Sequence, residues 1–213
     1  ANDAGAVVIS GREGLFSAGL DVPELMQLDR EGMSEFWRQF FGLLETVARS
    51  PIPVAAAITG HAPAGGAVLS LFCDYRVMSR GNYVAGLNET QVGLLVPEVI
   101  RQALIRLTGP HRAERMIVAG ALLSPEQAQA SGMIDELADS PSETVLAAIN
   151  WCESLLAMPA HAMLGNRELM RKDACERFDA LGEKQVKEFV DGWFDESTQA
   201  TLRQVLAQLK NKS

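Results

Sequence analysis

Cysteine is scarce in this chain of 213 residues: Cys73, Cys152 and Cys175 are odd in number and lack CxxC spacing. That argues against a disulfide framework and a zinc knuckle, and it fits a reducing compartment best. Basic residues are outnumbered, 19 against 27 acidic ones, giving a formal charge of −8 and a pI near 4.9. Nucleic-acid binding driven by phosphate contacts is therefore not expected. An anionic small molecule is still compatible, because local backbone dipoles can outweigh net charge. A long unbroken apolar run is also missing. The stretch from Pro51 to Cys73 is interrupted by Pro53, Gly60, His61, Pro63, Gly65 and Gly66, which a membrane-spanning helix would tolerate badly. No basic-then-apolar signal sequence opens the chain.

What is present reads as a folded globular protein, with 47% hydrophobic and 22% charged residues and enough length to bury a sizeable core. "GAVVIS" (5–10) has the β-branched apolar character of a buried parallel strand. After a glycine-bearing loop, Asp21, Pro23 and Glu24 signal a helix start. Met33, Phe36, Trp37, Phe40, Leu43, Leu44 and Val47 recur three and four apart, predicting an amphipathic helix over 33–48. Strands are expected at 52–59 and 74–79, with a buried helix after the turn "APAGG" between them. Strand and helix alternate, which points to an α/β fold with crossover connections. Beyond residue 97 helices are expected at 98–107, 111–119, 125–131, 142–157, 159–172, 175–194 and 197–210. The last carries Leu202, Val205, Leu206 and Leu209 in one stripe, and the charges of 167–188 read as a solvated helix face. Two regions follow: an α/β core over 1–135 and a helical region over 136–213.

Chemistry-bearing patterns are few. Ser17 has Gly19 two residues after it but Leu15 two before, so it lacks a nucleophile elbow and reads as a loop residue. No phosphate loop ending in Gly-Lys-Ser/Thr and no GxGxxG after a strand is found. His61, His111 and His161 have no acid or cysteine at ligand spacing, so structural or surface roles are expected and no metal site is. Two loops, "SAGLD" (17–21) and "AGG" (64–66), each enter a helix start, where free N–H groups and the helix dipole favour negative charge. Glu89 stands in "GLNETQVG" (86–93) without a Lys or Arg within eight residues on either side. Its local sequence fits a plain turn glutamate and a reactive carboxylate equally well.

Taken together, "FSAGLD" (16–21), "PVAAAITGHAPAGGAVLSLFCDYRVMS" (53–79), "GLNETQVGLLVP" (86–97) and "GPHRAERMIVAGALLSPEQAQASGMID" (109–135) resemble the crotonase, or enoyl-CoA hydratase/isomerase, superfamily. The order and spacing of all four blocks match, and they cover essentially the whole chain. "AGLNETQ", "FSAGLD" and "PAGG" are similar to its mitochondrial-type enoyl-CoA isomerase branch. The resemblance implies an α/β crotonase fold of repeated ββα units with a helical trimerisation region at the C-terminal end. It also implies that the first strands and helix of that fold precede Ala1.

Carried over by motif position, the resemblance makes the N–H groups of Leu20 and Gly65 an oxyanion hole for a thioester carbonyl, and Glu89 the catalytic base. Ala18, Asp21, Ala64, Val68 and Asn88 then lie along the substrate. Hydratases of the superfamily carry a second glutamate in the helix after the glycine pair, and the matching position here is Val68. The resemblance thus implies isomerisation of 3-enoyl-CoA to 2-trans-enoyl-CoA in β-oxidation of unsaturated fatty acids. Coenzyme A enters as part of the substrate, and no separate cofactor or metal is implied. The alternatives are a hydratase or thioester hydrolase on the same fold, or an acyl-CoA-binding protein without turnover. The expected partners are acyl-CoA and further copies of the chain, as a homotrimer or dimer of trimers, without nucleic acid or membrane. The expected location is the mitochondrial matrix in a eukaryote and the cytoplasm in a bacterium.

Overall fold

The computed structural model describes residues 4–210. The apolar run near the start forms β1 (Val7–Ser10), parallel as expected but not buried, since it ends its sheet among the described residues and Val7 is 41% exposed; a two-residue strand, β2 (Gly14–Leu15), follows closely. Asp21 accepts the Glu24 N–H (3.1 Å) and starts the short helix α1 (Val22–Leu25), as the capping signal predicts. The next helix, α2 (Arg30–Ala48), begins earlier than the apolar spacing predicts, because the Asp29 side chain accepts the Gly32 N–H at 2.8 Å. Its buried face carries Met33, Trp37, Phe41, Leu44 and Val47.

The second unit repeats the pattern: β3 (Val54–Ile58), β4 (Gly60–Pro63) and α3 (Gly65–Leu71). So does the third, with β5 (Tyr75–Ser79), β6 (Ala85–Gly86), a 3-10 turn (Glu89–Val92) and α4 (Glu98–Thr108). Each unit places its first strand in one sheet and its second in another. The first sheet has the order β1-β3-β5-β8, all parallel, where β8 is Glu136–Ala138. The second has the order β2-β4-β6-β7, where β7 is Leu122–Leu123 and joins antiparallel. This is the repeated ββα architecture of the crotonase fold. The two- to four-residue strands of the second sheet carry too few residues for a periodic signal, so sequence reasoning missed them.

The Ala-rich strand β3 has low intrinsic β-propensity, yet all five of its residues are buried. Its side chains alternate between faces. Ala55 and Ala57 meet Ala148 and Cys152 of α7 (Pro141–Leu156), while Ala56 and Ile58 face the main core with Met33, Leu44, Leu71 and Leu104. Small side chains let α7 approach the sheet closely. Burying each large core residue contributes about 1.5–3 kcal/mol.

The remaining helices are α5 (Pro110–Ala119), α6 (Pro125–Ser131), α8 (Ala160–Asp179), α9 (Glu183–Trp193) and α10 (Glu196–Lys210). The break expected at 173–174 is absent. The sequence "KDACERFD" contains no helix breaker, so α8 continues to Asp179, and the chain breaks instead before Gly182, the N-cap of α9. Phe189 of α9 packs on Trp37 with ring centroids 5.4 Å apart, closing the core over α2. In α10 Leu202 is buried and Val205 and Leu206 are half-buried; the side chain of Leu209 lies outside the described residues.

The solvated face expected over 167–188 needs correction. Arg167 and Arg171 are inserted into the fold, their side chains 12% and 6% exposed, and both bind the Asp74 carboxylate at the entry to β5. Arg167 donates from Nε and Nη2 at 2.9 Å each, and Arg171 from Nη1. Local charge patterning could not reveal a partner lying 93 and 97 residues away. Lys172, Glu176, Lys184 and Glu188 do lie on solvated faces.

Candidate active site

The site grows from the crossing of the two glycine loops. Phe16 and Ser17 donate their N–H groups to the His61 carbonyl (2.9 and 3.3 Å), pinning the first loop along β4. Gly19 has φ +91°, and its N–H is taken by Ser17 Oγ at 3.2 Å. The chain then enters α1 with the Leu20 N–H unpartnered among the described residues. The second loop is fixed from the other side, where the Ala64 N–H donates to the Gly86 carbonyl at 2.8 Å. Ala64 itself has φ +47°, ψ −120°, a conformation that costs a residue with a Cβ about 1–3 kcal/mol. That bend delivers Gly65 as the first residue of α3, its N–H likewise unpartnered among the described residues.

The loops touch backbone to backbone. A Cβ on Gly65 would lie 3.1 Å from the Gly19 Cα, and one on Gly66 only 2.6 Å from the Ser17 carbonyl oxygen. Glycine is required at Gly66 because the opposing atom is backbone and cannot swing away. The two free donors, Leu20 N–H and Gly65 N–H, are thereby held on adjacent chain segments. Charge building up on an oxygen between them would be stabilised by both dipoles.

Glu89 opens the 3-10 turn directly after β6. Because Gly86 is bonded to Ala64, and three residues of chain span at most about 11 Å, Glu89 is confined to the neighbourhood of the donor loops. Its side chain is half-buried, and Oε2 is fully covered with no hydrogen-bond partner among the described residues. Burial raises its carboxyl pKa above the ordinary range, opposed only in part by its own backbone N–H. The alternative of a solvated turn acid is therefore not what the fold provides.

The other predicted site residues differ in burial. Ala18 is exposed within the first loop, and Ala64 and Asn88 are half-buried beside Gly65 and Glu89 in the chain. Val68 is buried on α3 at 1% exposure. Asp21 is exposed and engaged as the α1 cap, so its carboxylate serves the helix start. His61 Nδ1 accepts the Val84 N–H at 3.2 Å, and its ring meets Tyr83 edge-on, a structural role. An apolar depression of about 730 Å³ between α5 and α6 is lined by Met116, Val118 and Leu123 and includes neither the donor loops nor Glu89. The turn bearing Glu89 is also held by residues that sequence reasoning did not single out. Thr90 Oγ1 donates to Ile117 O and Gln91 Nε2 to Gly120 O, both at 2.7 Å. No local pattern marks them, since their partners belong to α5 and its end.

Residues 1–202 match the enoyl-CoA hydratase/isomerase family. The chain is 32% identical over 212 residues to human mitochondrial enoyl-CoA delta isomerase 1, covering 98% of this chain and 69% of the relative. It is 33% identical over 195 residues to the probable enoyl-CoA hydratase EchA17 of Mycobacterium tuberculosis, covering 90% and 74% respectively. The crystal structure of human mitochondrial delta3-delta2-enoyl-CoA isomerase superposes with a TM-score of 0.92 at 30% identity, over 100% of this chain and 83% of that one. With two donor loops in contact, a desolvated glutamate beyond them, and this match across nearly its whole length, the chain belongs to the enoyl-CoA hydratase/isomerase family.

Proposed function

We propose that the chain converts 3-enoyl-CoA to 2-trans-enoyl-CoA with Glu89 as a lone proton shuttle, within the oxidation of unsaturated fatty acids. The observation that carries this reading is the Glu89 carboxyl, whose Oε2 is covered and unpartnered among the described residues, with no neighbouring cation to offset the burial. The thioester carbonyl oxygen accepts from Leu20 N–H and Gly65 N–H. Glu89 removes a proton from C2, the electron pair moves into a dienolate held by the two donors, and Glu89 returns the proton at C4. The double bond thereby moves from C3–C4 to C2–C3 with no net gain or loss of atoms or electrons, so the scheme calls for no cofactor. Proton transfer by a positioned carboxylate contributes about 10²–10⁴-fold, and each oxyanion donor about 10²–10³-fold.

Relatives named as isomerase and as probable hydratase both match. Val68 favours isomerisation, because water addition lacks the second acid implied at that place. Wild-type protein given 3-enoyl-CoA should produce the absorbance of a conjugated enoyl thioester; binding without that signal would overturn the reading. Val68→Glu should add hydration of 2-enoyl-CoA, followed as loss of the same absorbance. It should also destabilise the fold, since a buried carboxylate is costly. A folded Val68→Glu protein without hydratase activity would overturn the assignment of that position.

Gly66→Ala tests the donor crossing. The added Cβ must push the Ser17 carbonyl from 2.6 Å, separating Leu20 from Gly65. The expected result is a loss of isomerase kcat of about 10²-fold. Activity within twofold of wild type would show that the crossing does not position the donors. Oligomerisation supplies the remaining part of the proposal. Leu146, Ile149, Leu169 and Met170 of α7 and α8 are large, apolar and exposed, and a homotrimer would cover such residues. Among the described residues no helix is long and apolar enough to cross a membrane.

A further inference from the structure

The turn that carries Glu89 is a single 3-10 turn, closed by Leu94 N–H to Glu89 O (3.0 Å) and Gly93 N–H to Thr90 O (3.3 Å). One turn of this kind has poor hydrogen-bond geometry and little rigidity of its own. Thr90 and Gln91 anchor it from the α5 side through side chains that water reaches. Its opposite end is held differently. Thr198, in the first turn of α10 and 1% exposed, donates its Oγ1 proton to the Gly93 carbonyl at 2.9 Å, across 105 residues of chain. Gly93 has φ +80°, and a Cβ there would lie 2.9 Å from that same Oγ1. The two residues are fitted to each other. Asp195 sets the helix start that aims Thr198, accepting the N–H groups of Ser197 (2.9 Å) and Thr198 (3.4 Å) together with the Ser197 hydroxyl.

We infer that Thr198 is a positioning residue for Glu89: its hydroxyl clamps the Gly93 carbonyl and fixes the turn from which the carboxylate projects. The inference rests on the proposal that Glu89 is the base. With Thr198 buried, removing its hydroxyl takes from the Gly93 carbonyl the partner that ties the turn to α10. The turn then relaxes, and displacement of a reacting group by about 1 Å costs on the order of 10²-fold in rate. Thr198 bonds neither donor loop, so substrate affinity should hold while turnover falls.

The test compares Thr198→Ala and Thr198→Ser with wild type and Glu89→Gln in the isomerase assay, below the unfolding temperature of each protein. Thr198→Ala should lower kcat roughly 10- to 100-fold with KM within about twofold. Thr198→Ser, which keeps the donor, should return to within about threefold of wild type. Should the alanine chain fail to fold, Thr198→Val takes its place, keeping the volume without the donor, with the same expectations. An unchanged kcat, a loss confined to KM, or an equal loss in the serine variant would each overturn the inference. An inactive wild type or an active Glu89→Gln would instead overturn the assignment of the base. Loss in Glu89→Gln with none in Thr198→Ala overturns the positioning role alone.

Discussion

Glu89→Gln should lower isomerase kcat by about 10²–10⁴-fold, the range that a positioned general base contributes. Glutamine has nearly the same shape and removes only the ability to accept and return a proton. The fold should survive, and acyl-CoA binding with it, because the Leu20 and Gly65 donors belong to the backbone. The pH dependence follows from the raised pKa: kcat/KM should climb with pH through a value above the ordinary carboxylate range, where Glu89 ionises. Stability runs the opposite way. A carboxyl whose pKa rises on folding contributes stability fully below its unfolded pKa and loses that contribution as pH rises through the folded one. Glutamine never ionises, so the variant should melt at or above the wild-type temperature at neutral pH. Steady-state kinetics and thermal unfolding on the same preparations check both halves. Retained turnover would remove Glu89 from the mechanism.

Asp74→Ala should destabilise the fold by about 3–5 kcal/mol, as removing one partner of a buried ion pair does. The substitution strands the Arg167 and Arg171 guanidinium groups, 12% and 6% exposed, and frees the Val54 N–H that Asp74 accepts at 2.8 Å. It also weakens the tie of α8 to the junction of α2, β3 and β5, leaving Arg167 bonded to the Ser50 carbonyl and Arg171 to those of Ala48 and Phe72. Burial alone would push the Asp74 carboxyl upward; the Arg167 hydrogen bonds, the Arg171 charge and the Val54 N–H outweigh it, and the pKa lies below the ordinary range. The resulting stability is present above the unfolded pKa and lost as pH falls through the folded one. The gap between wild type and Asp74→Ala in urea titrations should therefore be widest near neutrality and narrow in acid. A difference below about 1 kcal/mol at pH 7 would place the cluster with ordinary surface pairs.

Several features could be read directly from residues. The β-branched run at 5–10, the Asp21 cap and the three- and four-residue spacing over 33–48 act over distances that the sequence displays, and the structure contains each element. Glu89 lay at the limit of that legibility. The lack of a nearby cation was visible, but whether its carboxylate was covered depended on how β6 and the following turn pack. The roles of Arg167 and Arg171 were hidden because a helical charge pattern looks the same whether its face meets water or Asp74, and the α8–α9 break falls at Gly182 because no helix breaker stands in 172–179.

The sequence by itself determined the alternation of strand and helix, the two glycine loops, and the family whose motifs they match. Those properties depend on backbone conformation and hydrophobic period, both encoded within a few residues. Only the tertiary structure decided that Gly66 rests against the Ser17 carbonyl, that Glu89 Oε2 has no partner among the described residues, and that Thr198 reaches the Gly93 carbonyl. Desolvation and hydrogen bonding at such positions are set by atoms far away in the chain, so they come into being when the segments meet.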